Sequence, residues 1–207
     1  MTASDSASVQ ITRPVGRFVG VGLLLMAGFT ALWAAWVPYG LPDVAGAVIV
    51  TMFLTFSVVL VVNGVALLRL STLMPLPTAE EMSGRGRTLR IGFGAIVAAE
   101  GLVIGSVCTV LAGEGEGDYF GPAIAMVVGL HFIPFAFLFR RRIDLYIGGW
   151  VALWAAVGVW MIATEFAGPP LATSVVAITT AIGTASYGSY LLRVARAFKP
   201  PVRRLSA

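Results

Sequence analysis

Charge is scarce in this sequence: Asp, Glu, Lys and Arg make up 12% of its 207 residues, about half the share of a soluble globular domain. Too little polar surface is left to face water on all sides. Cysteine and histidine occur once each, as Cys108 and His131. A lone cysteine excludes an intramolecular disulfide and any cysteine-built zinc or iron–sulfur cage, and Cys108 reads as a small apolar packing residue. Soluble-enzyme nucleophile motifs, phosphate loops and metal-ligand clusters are lacking as well. One histidine beside one carboxylate cannot hold a catalytic zinc unaided, so neither a metal nor a cofactor is expected.

What the chain has instead is long apolar stretches. Hydrophobic residues make up 58%, and the mean hydropathy is +0.91. A helix needs about 20 apolar residues to cross a bilayer core of about 30 Å. Six segments qualify or nearly do: Phe18–Val37, Val44–Leu68, Ile91–Ala112, Pro122–Phe139, Leu145–Ala163 and Leu171–Leu192. Across them the only Asp, Glu, Lys or Arg is Glu100. The first segment is longer than the apolar core of a usual signal peptide and is expected to be retained. The fold class expected is all-α, an integral membrane bundle of six transmembrane helices. Residues 1–12 read as a disordered tail, 13–197 as a single six-helix transmembrane domain, and 198–207 as a basic cytoplasmic tail.

The connections sort by charge. Arg13 and Arg17 precede the first segment, and Arg69, Arg85, Arg87 and Arg90 lie between the second and third. Arg140, Arg141 and Arg142 lie between the fourth and fifth, and Arg193, Arg196, Lys199, Arg203 and Arg204 follow the sixth. All 14 basic residues thus fall on one side. The opposite loops carry Asp43, Glu114, Glu116, Asp118 and Glu165 and no Lys or Arg. The positive-inside rule makes the basic side cytoplasmic, with both termini inside and the protein in the cell (inner) membrane. The net charge of +4 and pI near 9.7 are therefore topological, and nucleic acid is not an expected partner. Membrane lipids are, and a second copy or another membrane protein stays open.

Internal repetition divides the chain further. Gly28-Phe29-Thr30-Ala31-Leu32-Trp33-Ala34-Ala35 is echoed by Gly149-Trp150-Val151-Ala152-Leu153-Trp154-Ala155-Ala156, and more loosely by Gly92-Phe93-Gly94-Ala95-Ile96-Val97-Ala98-Ala99. The even segments end alike, at Leu67-Leu68-Arg69, Leu138-Phe139-Arg140 and Leu191-Leu192-Arg193. Three helical hairpins are expected, each leaving and re-entering the cytoplasmic face. Gly101 and Gly105 are expected to let helices approach closely. In the loop after the second segment, Thr78-Ala79-Glu80-Glu81 fits a capping box.

One position breaks the repeat. After the shared octet come Trp36, Val157 and Glu100. Glu100 lies ten residues from Arg90, roughly 15 Å in at 1.5 Å per residue. His131 lies nine residues from Arg140 on the antiparallel neighbour, roughly 13–14 Å in. Equal depth makes contact plausible, although one sequence does not show which way either residue faces. A buried ionisable group needs a partner, and a Glu–His pair is suited to hold or pass one proton. Pro134 deprives the Leu130 carbonyl of its helical donor, one residue from His131. Asn63, Thr180, Thr184 and Tyr187 are placed to line a polar pocket on the cytoplasmic side. Asn63 alone, and the Thr/Tyr stripe alone, more often serve helix–helix contact.

The stretch Gly129-Leu130-His131-Phe132-Ile133-Pro134-Phe135-Ala136 resembles a Gly-Leu-His-Phe-x-Pro-x-Ala signature in small bacterial multi-span membrane proteins of unknown function. It covers eight residues and implies no activity, but it singles out His131 and Pro134. The leading expectation is a small-solute or proton-coupled binding or transport protein with Glu100 and His131 at its core. The alternatives are a membrane-embedded enzyme on a lipid or isoprenoid substrate, with Glu100 as general acid, and a structural or accessory membrane subunit. Whether the chain is an enzyme is left open.

Overall fold

The computed structural model describes residues 12–76 and 85–196, apart from the side chains at 85–88 and 90. The Thr78–Glu81 capping box and both tails lie outside these residues. Six α-helices follow in order: α1 (Arg13–Ala34), α2 (Val44–Ser71), α3 (Arg85–Gly113), α4 (Phe120–Phe139), α5 (Arg142–Ala163) and α6 (Pro169–Arg196). Short 3-10 turns at Val37–Tyr39 and Gly117–Tyr119 are the other regular elements among the described residues. All six helices are long and apolar enough to cross a membrane.

Local chemistry explains several boundaries. Pro14 sits in the first turn of α1, where its missing N–H costs nothing. Asp43 caps α2, its Oδ1 accepting from the Ala45 and Gly46 N–H groups at 3.1 and 3.3 Å, which satisfies two otherwise orphaned donors. α1 ends at Ala34, three residues short of the expected Val37, so Trp36 stands in the turn beyond it. α5 begins at Arg142 and not at Leu145, because Arg140 takes the left-handed conformation (φ 55°, ψ 43°) and turns the chain within two residues. That earlier start carries Asp144 inside the helix, where it is 1% exposed. Glu100 is therefore not the only carboxylate within a spanning helix.

α1 packs closely on α2, α4 on α5, and α6 on both α1 and α5, while among the described residues the main helix contact of α3 is with α4. The close approaches occur where glycines face each other. An added Cβ on Gly20 would meet the Gly64 carbonyl at 3.3 Å, and one on Gly129 would meet the Ala152 backbone nitrogen at 2.6 Å. Gly101 and Gly105 were expected to serve the same purpose, but a Cβ on either meets nothing within 4 Å. They lie on the outer face of α3, turned away from α4.

Polarity runs inward. α6 is the least apolar of the six and the most buried, whereas the strongly apolar α2 and α3 are the least buried. Thr173, Ser174, Thr179, Thr180 and Thr184 of α6 are all buried, while Phe137, Leu102, Met52 and Leu153 are exposed. Hydrocarbon as the surrounding solvent gives this order, because it sends apolar side chains outward and leaves polar ones to find partners inside.

Local contacts tie the helix ends together. Arg13 donates from its backbone N–H to the Pro75 carbonyl at 2.9 Å and from Nη2 to the Thr72 carbonyl at 2.6 Å. The Arg141 guanidinium lies 5.5 Å from the Phe18 ring and 5.0 Å from that of Phe139. At the other end, Ser174 Oγ accepts from the Gly40 N–H at 2.8 Å and donates to the Val37 carbonyl at 2.9 Å.

Gly129→Leu should therefore lower the melting temperature in detergent, at a cost of about 1–3 kcal/mol for overpacking against backbone. Gly101→Leu, with open space before it, should leave the melting temperature near that of the parent. Equal effects of the two would contradict this packing.

Candidate functional site

Glu100 stands midway along α3 and His131 in the central part of α4. Phe93 of α3 stacks on Phe135 of α4 at 5.3 Å with the rings nearly parallel, and this sets the register of the two helices. The same register brings Glu100 Oε1 to 3.0 Å from His131 Nδ1, with the side chains 12% and 13% exposed. The oxygen lies off the N–H direction, so the contact is close but is not a well-formed hydrogen bond. The imidazole is walled by Phe132 at 4.5 Å and, edge-on, by Phe135 at 5.0 Å. Among the described residues this is the one ion pair.

Such a pair exists as carboxylate with imidazolium or as acid with neutral imidazole, and either arrangement holds one shared proton between helices. Aromatic walls exclude competing water and strengthen the mutual attraction. The off-axis contact leaves both groups free to bond elsewhere with little rearrangement.

The other expected residues do not gather into one pocket. Asn63 returns its Nδ2 to the Val59 carbonyl of its own helix at 2.8 Å, on α2, which packs on α1 and α6. Thr184 meets Thr30 of α1 at 2.9 Å and also donates to the Ala181 carbonyl at 3.1 Å, so it stitches α6 to α1. Thr180 is fully buried, and its hydroxyl has no partner. Pro134 is exposed on the outer face of α4, and the helix continues through it to Phe139. Tyr187 alone approaches the site: its ring is 5.9 Å from Phe132, which in turn touches His131.

Tyr187 leads to a second polar group. Its hydroxyl lies 3.4 Å from Arg141 Nη1, and beside it sits Asp144, with Arg141 and His131 within electrostatic range. Asp144 is 1% exposed; the Tyr187 hydroxyl is its polar neighbour, but neither carboxylate oxygen makes a well-formed hydrogen bond. Burying a carboxylate without full hydrogen bonding is costly, and such a group in a folded protein calls for an explanation. Sequence reasoning passed over Asp144 because it directly follows the arginine-rich turn, which reads as a solvated loop. The available signal was an acid standing three residues after Arg141 on the basic side. Cys108 is half-buried and free, and among the described residues no three His, Cys, Asp or Glu converge.

A double-mutant cycle of Glu100→Ala and His131→Ala, read by unfolding in detergent, should give a coupling of about 0.5–2 kcal/mol, the range for polar contacts between membrane helices. Strict additivity would mean that the pair is not in energetic contact. No protein-family model, curated protein or solved structure matches this chain, so the two polar clusters themselves are the ground for any functional reading.

Proposed function

We propose that this chain is a multi-pass protein of the cell (inner) membrane that binds and passes a proton at Glu100–His131, coupled to a small solute. The observation that carries the reading is the 3.0 Å contact between the two groups, made halfway along adjacent helices. Intramembrane ionisable groups are functional by default because their burial must be compensated. Asp144 supports it from the cytoplasmic end, as a second carboxylate in electrostatic range of His131. Glu100 and His131 hold the proton between them, while Asp144 and Tyr187 lie across the Phe132 ring from His131, where Asp144 acts on the imidazole electrostatically. In this reading the chain forms three hairpins with both termini in the cytoplasm. The sorting of the arginines supports it.

A structural reading has one specific observation in its favour. Among the described residues α3 rests chiefly on α4, so the Glu100–His131 contact also fastens a peripheral helix. Glu100→Gln separates the two roles. With the protein in liposomes loaded with a pH-sensitive dye, under a potassium-diffusion potential and a panel of small solutes, the parent should admit protons. Glu100→Gln should reduce that flux at least about tenfold while melting within a few degrees of the parent, since an amide still bonds to imidazole. A lowered melting temperature with unchanged flux would favour the clamp.

Orientation is checked independently. In a Cys108→Ala background, Glu116→Cys should react with an impermeant maleimide in intact spheroplasts, and Arg69→Cys only after permeabilisation. The opposite pattern would reverse the topology.

A further inference from the structure

The geometry points to a binding site for an anionic phospholipid in the groove where α4 turns into α5. The groove, of about 320 Å³, is lined by Ala136, Phe137, Arg140, Arg141, Arg142 and Leu145. Its two halves differ in chemistry. The exposed Arg140 and Arg142 supply the basic side, while Phe137, 74% exposed, and Leu145, 45% exposed, form an apolar wall that continues along the outer faces of α4 and α5. A soluble anion would use only the first half. A phospholipid uses both, its phosphate on the arginines and an acyl chain along the aromatic and aliphatic wall.

Three further features belong to the same groove. Arg140 occupies a left-handed backbone conformation (φ 55°) that glycine takes without strain and that L side chains rarely adopt. It is the helix C-terminal position where glycine is usual, and an arginine held there keeps three side chains on one tight turn. Among the described residues, neither Arg140 nor Arg142 has a salt-bridge partner, while Arg141 is engaged with Phe18, Phe139 and Tyr187. No side chain caps the N-terminus of α5, so its first N–H groups add donors for a phosphate oxygen. Asp144 beneath them is buried and would repel an anion that went deeper, which keeps the phosphate at the rim. Basic pockets between helix ends at the cytoplasmic face suit anionic headgroups.

This site does not depend on the proton reading, since it needs only that the α4–α5 turn lies at a membrane surface. The test uses the purified full chain in a neutral detergent. Native mass spectrometry and thermal shifts are recorded with phosphatidylglycerol, with phosphatidylcholine, and with inorganic phosphate as the chain-free probe. Phosphatidylglycerol should be retained and should raise the melting temperature, while phosphatidylcholine and inorganic phosphate should do neither. Removing two guanidinium groups in Arg140→Gln/Arg142→Gln should weaken retention about 30-fold, from about 1 kcal/mol for each charge. Arg193→Gln/Arg196→Gln, at the same end of the bundle but outside the groove, should leave it unchanged. Arg140→Gly keeps the turn on its preferred residue, so it should melt no lower than the parent and still bind the lipid more weakly. Equal retention of the two lipids would overturn the site, as would equal weakening by the Arg193/Arg196 control. Competition by inorganic phosphate at the same strength would assign the groove to a soluble anion instead.

Discussion

Every arrangement in this protein follows from hydrocarbon being its solvent. Water would drive leucine and phenylalanine to the centre; lipid does not, and exerts no comparable pull between apolar helix faces. What remains to hold helices together is close contact and the few polar groups that lipid cannot satisfy. The fold uses both. Backbones meet at Gly20 and Gly64, and again at Gly129 and Gly148, where the missing Cβ permits dispersion contact along the main chain. The threonines and Ser174 of α6 are buried, so the least apolar helix takes the interior and the most apolar ones take the periphery.

The same constraint shapes the two polar clusters. In water, a glutamate and a histidine at 3.0 Å are weakly coupled and contribute little. Between two membrane helices each is the other's main compensation for desolvation, and neither can be removed without exposing its partner to an apolar wall of Phe132 and Phe135. Asp144 presents the opposite case, a carboxylate buried without a well-formed hydrogen bond beneath a turn of three arginines. The Tyr187 hydroxyl and the Arg141 guanidinium offset part of the burial cost without saturating its hydrogen bonds. Phe132 connects the clusters physically, in contact with the His131 ring on one side and facing Tyr187 on the other.

Much of this was legible in the residues because the relevant physics is one-dimensional. Apolar length against bilayer thickness identifies six helices long enough to span. Helical rise converts residue counts into depth, and so Glu100 and His131 could be placed level with each other before any side chain was positioned. Where the reading failed, the missing quantity was an angle. Gly101 and Gly105 have the spacing of a helix contact, yet they face outward, while Gly129 and Gly148, on different helices and in no shared motif, meet. Thr184 and Tyr187 lie on one stripe of α6, yet one serves α1 and the other Arg141. Asp144 was hidden by a boundary, since a left-handed Arg140 starts α5 three residues before the apolar run.

The amino-acid sequence by itself determined that six helices are long and apolar enough to cross a membrane and that Glu100 and His131 stand level along two of them, since both depend on composition and distance along one axis. Tertiary structure alone decided rotation about that axis and choice of neighbour: that α3 leans chiefly on α4 among the described residues, that Glu100 turns towards His131, and that Asp144 is enclosed. Helices in lipid are turned by small differences in contact summed over many pairs, and no single stretch of chain holds that sum.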